Sequence, residues 1–147
     1  MQTLAIENPL AFNRPTANVL LVEDNKIALR LIQILASAAG LTPSSAFSGE
    51  EALAMAKMLS FDLIITDIGL PGISGYEFCH DLRQWEKQNH KSPVPIIGLT
   101  AYDLSEARNK GVESGMNHVL CKPIHIETVR ELILHFISPL SHNTHKP

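Results

Sequence analysis

"DLIITDIGLPGISG", residues 62–75, decides the fold. Residues 63–66 are apolar or β-branched, too few for a helix, and they run into Asp67 and then into a loop of glycines and a proline. A short apolar run bounded by turn signals reads as a buried strand. Similar runs stand at 19–22, 96–99 and 119–121, with a weaker one at 42–47, giving five strands. Between them lie helical segments. The clearest is "NKIALRLIQILASAAG" (25–40), where Lys26, Arg30, Gln33 and Ser37 fall on one polar stripe and apolar residues cover the rest, so this helix is expected to be largely buried and to stop at Gly40. Ser48 with Glu51 three residues later reads as a capping box opening the second helix. Further helices are predicted over 75–88, 103–113 and 126–138.

Five strand–helix repeats force parallel pairing with helices on both faces, because parallel neighbours need crossover connections and these are right-handed. The expected fold class is therefore α/β, a flavodoxin-like doubly wound (βα)5 sheet. In such a sheet all strand carboxyl ends share one edge, where ligands bind. Every run but the weaker one ends on polar residues: Glu23 and Asp24 after the first, Asp67 after the third, Thr100 after the fourth, Lys122 after the fifth. Three crowded carboxylates call for protonation or a cation, and magnesium suits an oxygen-only site that also receives a phosphate. Lys122 offers a compact positive charge and Thr100 a hydroxyl, both suited to anionic oxygens. Asp67 is then a nucleophile able to take a phosphoryl group, a transfer that depends mainly on alignment and charge neutralisation. Taken singly, each acid is a turn former or helix cap, Thr100 a strand residue and Lys122 a solvated charge. Their common placement at one sheet edge is what carries the functional reading.

Composition narrows the classes. The 147 residues, 45% hydrophobic, fit one domain, and the net charge of −3 gives no reason to expect nucleic acid as a direct partner. Residues 1–17 read as a leader or linker that resembles neither a signal peptide nor a membrane span, and 139–147 as a polar, fraying tail. Cys79 and Cys121 have no disulfide or zinc spacing, which suits a reducing cytoplasm. Cys121 reads as a small strand filler, and His142 with His145 as a solvated pair.

"LLVEDN", "DLIITDIGLPGISG", "PIIGLTAY" and "GMNHVLCKPI" resemble the receiver domains of bacterial two-component response regulators, most of all those attached to hybrid histidine kinases. The resemblance spans 18–138 and implies strand order 2-1-3-4-5. It also implies Asp67 as phosphoacceptor, magnesium held by Glu23, Asp24, Asp67 and the backbone carbonyl of Gly69, Thr100 and Lys122 on the phosphoryl group, and a cis Lys122–Pro123 peptide. A sensor histidine kinase or a histidine-phosphotransfer domain is the implied donor, docking against the first helix and the loop after the fifth strand, with Leu29, Ile32 and Ile124 as apolar contacts; Leu29 and Ile32 read equally well as core residues. A dimer is compatible with the family. The domain is expected to catalyse only its own phosphorylation and dephosphorylation, or to form part of a hybrid kinase if the chain is longer.

Three departures stand out. Val119 occupies the place, three residues before Lys122, where receivers usually carry a mobile Tyr or Phe, so readout across the last strands is expected to be muted. Gly69 leaves open a position that usually bears a side chain, with Tyr102 expected to cover the other flank. Trp85, the only tryptophan, is expected late in the third helix, remote from the acids. A haloacid-dehalogenase-type phosphatase would need a second aspartate where Gly69 stands, a pseudo-receiver would have lost part of the acid or lysine set, and a flavodoxin-like carrier would need a glycine-rich phosphate loop after the first strand.

Overall fold

A computed structural model describes residues 16–137; all but Thr16 and Ala17 of the expected leader, together with the expected tail and its histidines, lie outside them. The runs of branched apolar residues form β1 (Asn18–Val22), β2 (Thr42–Ala46), β3 (Leu63–Asp67), β4 (Ile96–Thr100) and β5 (His118–Cys121). The helices are α1 (Lys26–Ala38), α2 (Gly49–Met58), α3 (Gly75–Gln88), α4 (Leu104–Ser114) and α5 (Ile126–Phe136). All strands pair in parallel in the order β2-β1-β3-β4-β5, the arrangement the resemblance implied.

Alternation along each strand sends side chains to two cores. Leu20, Ile64 and Ile96 pack with Phe78 and Leu82 of α3, Ala52 of α2 and Ala107 of α4. Leu21, Ile65 and Ile97 pack on the other face with Leu29 of α1 and Val129 and Leu132 of α5. Three helices thus cover one face and two the other.

That imbalance corrects the reading of α1. Only Leu29 and Ala36 are buried in it, while Ile27 is 77%, Leu31 59% and Ile34 50% exposed. A surface helix buries one stripe, and the apolar residues beyond that stripe face water. The stop falls as expected. Gly40 takes φ +95, its N–H donates to the Ser37 carbonyl, and the Leu41 N–H donates to the Ala36 carbonyl, the paired bonds of a Schellman ending.

The second helix starts differently from expectation. Ser48 Oγ accepts the Glu51 N–H at 3.0 Å, but the Glu51 carboxylate accepts from Phe47 N–H rather than from Ser48, so the reciprocal bond of a capping box is absent there. A complete box opens α3 instead, between Ser74 and Glu77. The S-x-x-E spacing of residues 74–77 carried that signal.

Candidate functional site

Register brings the strand ends level. Val22 lies opposite Thr66, so Glu23 comes level with Asp67; Asp67 lies opposite Leu99 and Thr100 opposite Cys121, which sets Thr100 one step and Lys122 two steps further along the same edge. The β3–α3 turn begins with Ile68 N–H on the Leu99 carbonyl and returns with Gly75 N–H on the Ile68 carbonyl. A Cβ at Gly75 would stand 2.5 Å from the Asp67 carbonyl oxygen, so only glycine lets α3 start this close to the strand end.

At that edge one carboxylate oxygen each from Glu23, Asp24 and Asp67 lies within 4.8 Å of the others. Glu23 is 2% exposed, Asp67 half-buried and Asp24 exposed. Lys122 reaches across the group, its Nζ 2.9 Å from Glu23 Oε1 and 3.3 Å from Asp67 Oδ1. Glu23 Oε2 accepts the Asn25 N–H at 3.1 Å, and Asn25 itself caps α1 by accepting from Ala28 N–H. Burial works to lower the Lys122 pKa, but its bond to Glu23 and the charge of Asp67 outweigh it and hold the ammonium above its ordinary value. Lys122 is therefore firmly charged at neutral pH.

Thr100 is buried at the same edge. Its carbonyl accepts the Lys122 N–H at 2.8 Å and its Oγ1 accepts the Tyr102 N–H at 3.2 Å, so the backbone ties it directly to the lysine. The Gly69 N–H donates to Asp67 Oδ1 at 3.4 Å. A Cβ at Gly69 would meet nothing within 4 Å, and Tyr102 is 86% exposed rather than folded over the acids, so both flanks of Asp67 are open. The Lys122–Pro123 peptide is cis.

The oxygen-only donor set fits a hard divalent ion: three carboxylates face one another with a single ammonium among them, and magnesium favours one or two carboxylates with waters and phosphate oxygens filling its octahedron.

Other expected contacts are corrected. Leu29 and Ile124 are buried in the core and Ile32 packs against it, so none of the three offers a free docking surface; the exposed large apolar residues of α1 are Ile27, Leu31 and Ile34. Val119 is buried, and a Cβ at Gly111 would stand 2.5 Å from its Cγ2. Trp85 lies late in α3, lining a cleft with Met58, Leu59 and Val94.

With this geometry in place, residues 19–134 match the family model described as "Response regulator receiver domain". The chain belongs to the response regulator receiver domain family. Among curated relatives, the "Sensor histidine kinase GacS" of Pseudomonas protegens is 34% identical over 116 residues, covering 79% of this chain but 13% of that protein. The chain thus spans a small part of the hybrid kinases it matches. Among solved structures, the receiver domain of Saccharomyces cerevisiae Ssk1, crystallised with the histidine phosphotransfer protein Ypd1, superposes with a TM-score of 0.77 at 32% identity, covering 83% of this chain and 89% of that one. The receiver domain of the sensor histidine kinase PA1611 from Pseudomonas aeruginosa, with magnesium coordinated in its active site cleft, gives 0.73 at 28% identity, covering 84% and 98%. No helix among the described residues is long and apolar enough to cross a membrane.

Proposed function

We propose that this receiver domain takes a phosphoryl group from phosphohistidine onto a carboxylate oxygen of Asp67. The observation that carries this reading is Lys122 spanning Glu23 and Asp67 beside the three-carboxylate group. In the transfer the P–N bond breaks, its electron pair returns to the imidazole nitrogen, and a P–O bond forms on Asp67. Lys122 lends its charge to the phosphoryl oxygens, and the Thr100 hydroxyl, which accepts the Tyr102 N–H, has its own O–H left to donate to one of them. Glu23, Asp24, Asp67 and the Gly69 carbonyl would hold magnesium, which when bound supplies the remaining charge neutralisation. The open space at Gly69 gives the donor a path to Asp67.

The donor is a phosphohistidine on a kinase or phosphotransfer helix. Its apolar side packs on Ile27, Leu31 and Ile34, a stripe on α1, the helix that starts directly after the acid pair. The test is transfer of radiolabelled phosphate from a histidine-phosphotransfer domain. Label should move to this chain as a base-labile acyl phosphate, and Leu31→Asp should slow that transfer about tenfold or more while leaving phosphorylation by acetyl phosphate unchanged, as expected when a charge is buried in an apolar contact. Label that stays on the donor, with the chain folded and magnesium present, would overturn the proposal.

A further inference from the structure

The loop after Asp67 is gripped from an unexpected direction. Glu50, in the first turn of α2, accepts the Ile73 N–H on Oε2 at 3.2 Å, across 23 residues of sequence. The two segments cross where both lack side chains. A Cβ on Gly72, which takes φ +75, would stand 2.6 Å from Glu50 Oε2, and a Cβ on Gly49 would stand 2.6 Å from Ile73 Cγ1. Ile73 is half-buried against the α2–α4 core. The contact is thus built from a carboxylate, a backbone donor and two glycines that let them meet.

From this geometry we infer that Glu50 is a positioning residue for the phosphoacceptor loop, bracing residues 69–74 from the start of α2 so that the Gly69 carbonyl is held in place toward the acid pocket. The inference rests on the proposed role of Gly69 as a magnesium ligand. Over residues 69–73 the loop is tied by few bonds: Leu70 N–H to the Ile68 carbonyl at 3.1 Å, the weak Gly69 contact to Asp67, and the Glu50 bond. Pro71 has no N–H to contribute. Releasing the Glu50 bond leaves the far half of the loop to the packing of Ile73 and Leu70, and a ligand carried on a looser loop binds more weakly because its ordering is charged against the ion. The brace also has a direction. α2 follows β2, which pairs with β1, so Glu50 ties the loop of Asp67 to the strand that delivers Glu23 and Asp24.

The experiment compares Glu50→Ala and Glu50→Gln with the native chain in two measurements, both at an ionic strength that screens surface charge. The first is hydrogen exchange of the Ile73 amide without magnesium, and the second is magnesium affinity by calorimetric titration. Glu50→Ala should speed Ile73 exchange and weaken magnesium about three- to tenfold, the scale of one exposed charge-assisted bond. Glu50→Gln retains an acceptor oxygen and should restore both. A Glu50→Ala chain that matches the native one in both readouts overturns the brace, as does a Glu50→Gln chain that protects Ile73 yet binds magnesium as weakly as Glu50→Ala, since charge alone would then be at work. Native protein that binds no magnesium contradicts the Gly69 reading, and Ile73 exchange still judges the brace by itself.

Discussion

The two edges of the sheet each bury a glutamate and treat it in opposite ways. At the edge opposite the acids, Glu86 of α3 is 5% exposed and fully paired: Oε1 accepts from Arg83 Nη1 and Oε2 from the Val94 N–H, each at 2.9 Å. Arg83 spends its other donors on the Gly115 carbonyl and on Asn117 Oδ1, which also accepts the Ile96 N–H. Helix α3, the start of β4 and the turn before β5 are closed into one neutral network. At the acid edge, Glu23 is as deeply buried, yet one ammonium is shared with Asp67, and Asp24 is left facing both. Charge that is balanced builds structure. Charge left in excess is available for chemistry, because a cation arriving there relieves repulsion that folding has left in place and can in turn receive an anionic phosphoryl group.

This contrast breaks most easily at Glu86. Glu86→Ala strands a mostly buried guanidinium and the Val94 donor and should cost about 3 kcal/mol of stability, measured by urea unfolding; a loss under 1 kcal/mol would show that the network is decoration. At the other edge the sign reverses. Asp24→Asn removes one of three crowded carboxylates and should leave magnesium-free protein equally or more stable, by up to about 1 kcal/mol. The same change should diminish the stabilisation by magnesium, which for the native chain is predicted to be about 1.4 kcal/mol at ten times the dissociation constant. Asp24→Asn protein that is markedly less stable without magnesium would mean that the acid edge, too, is closed.

A smaller effect sharpens the comparison at alkaline pH. Burial pushes the Cys79 thiol up to about 11 from its ordinary 9.0, against the lowering effect of Arg83. Across that window the folded chain keeps a proton that the unfolded chain has released, so stability falls as pH rises from 9 to 11. Lys122 acts in the same direction: its raised pKa gives stability that is present below 10.5 and fades as pH climbs through the folded value. Cys79→Ala should flatten the early part of the decline, and at pH 8 a maleimide should label exposed Cys121 while sparing Cys79. Equal labelling of both thiols in the folded state would contradict the packing around α3.

Much of this was legible in the sequence. Strand runs of branched apolar residues ending on acids, a threonine and a lysine need no tertiary information to be read, and α3 runs over 75–88 as its pattern predicts. What escaped were features set by more than one element. The periodicity of α1 marks its apolar residues but not how many helices share its face of the sheet, so the exposure of Ile27, Leu31 and Ile34 was hidden. Glu86 sits between Trp85 and Lys87 with no local sign that it is buried. The grip of Glu50 on Ile73 depends on the positive φ of Gly72 and on a crossing of segments distant in sequence. Tyr102, two residues after Thr100 in sequence and expected to cover the acids, is exposed, with its backbone N–H held by Thr100 Oγ1.

The measurement that bears most directly on the acid edge is intact mass after incubation with acetyl phosphate, with and without magnesium, for the native chain and Asp67→Asn. One phosphoryl adduct that requires magnesium and is missing from Asp67→Asn is the predicted result. An adduct that persists in Asp67→Asn, or none in folded native protein with magnesium bound, would contradict the assignment of Asp67 as the phosphoacceptor.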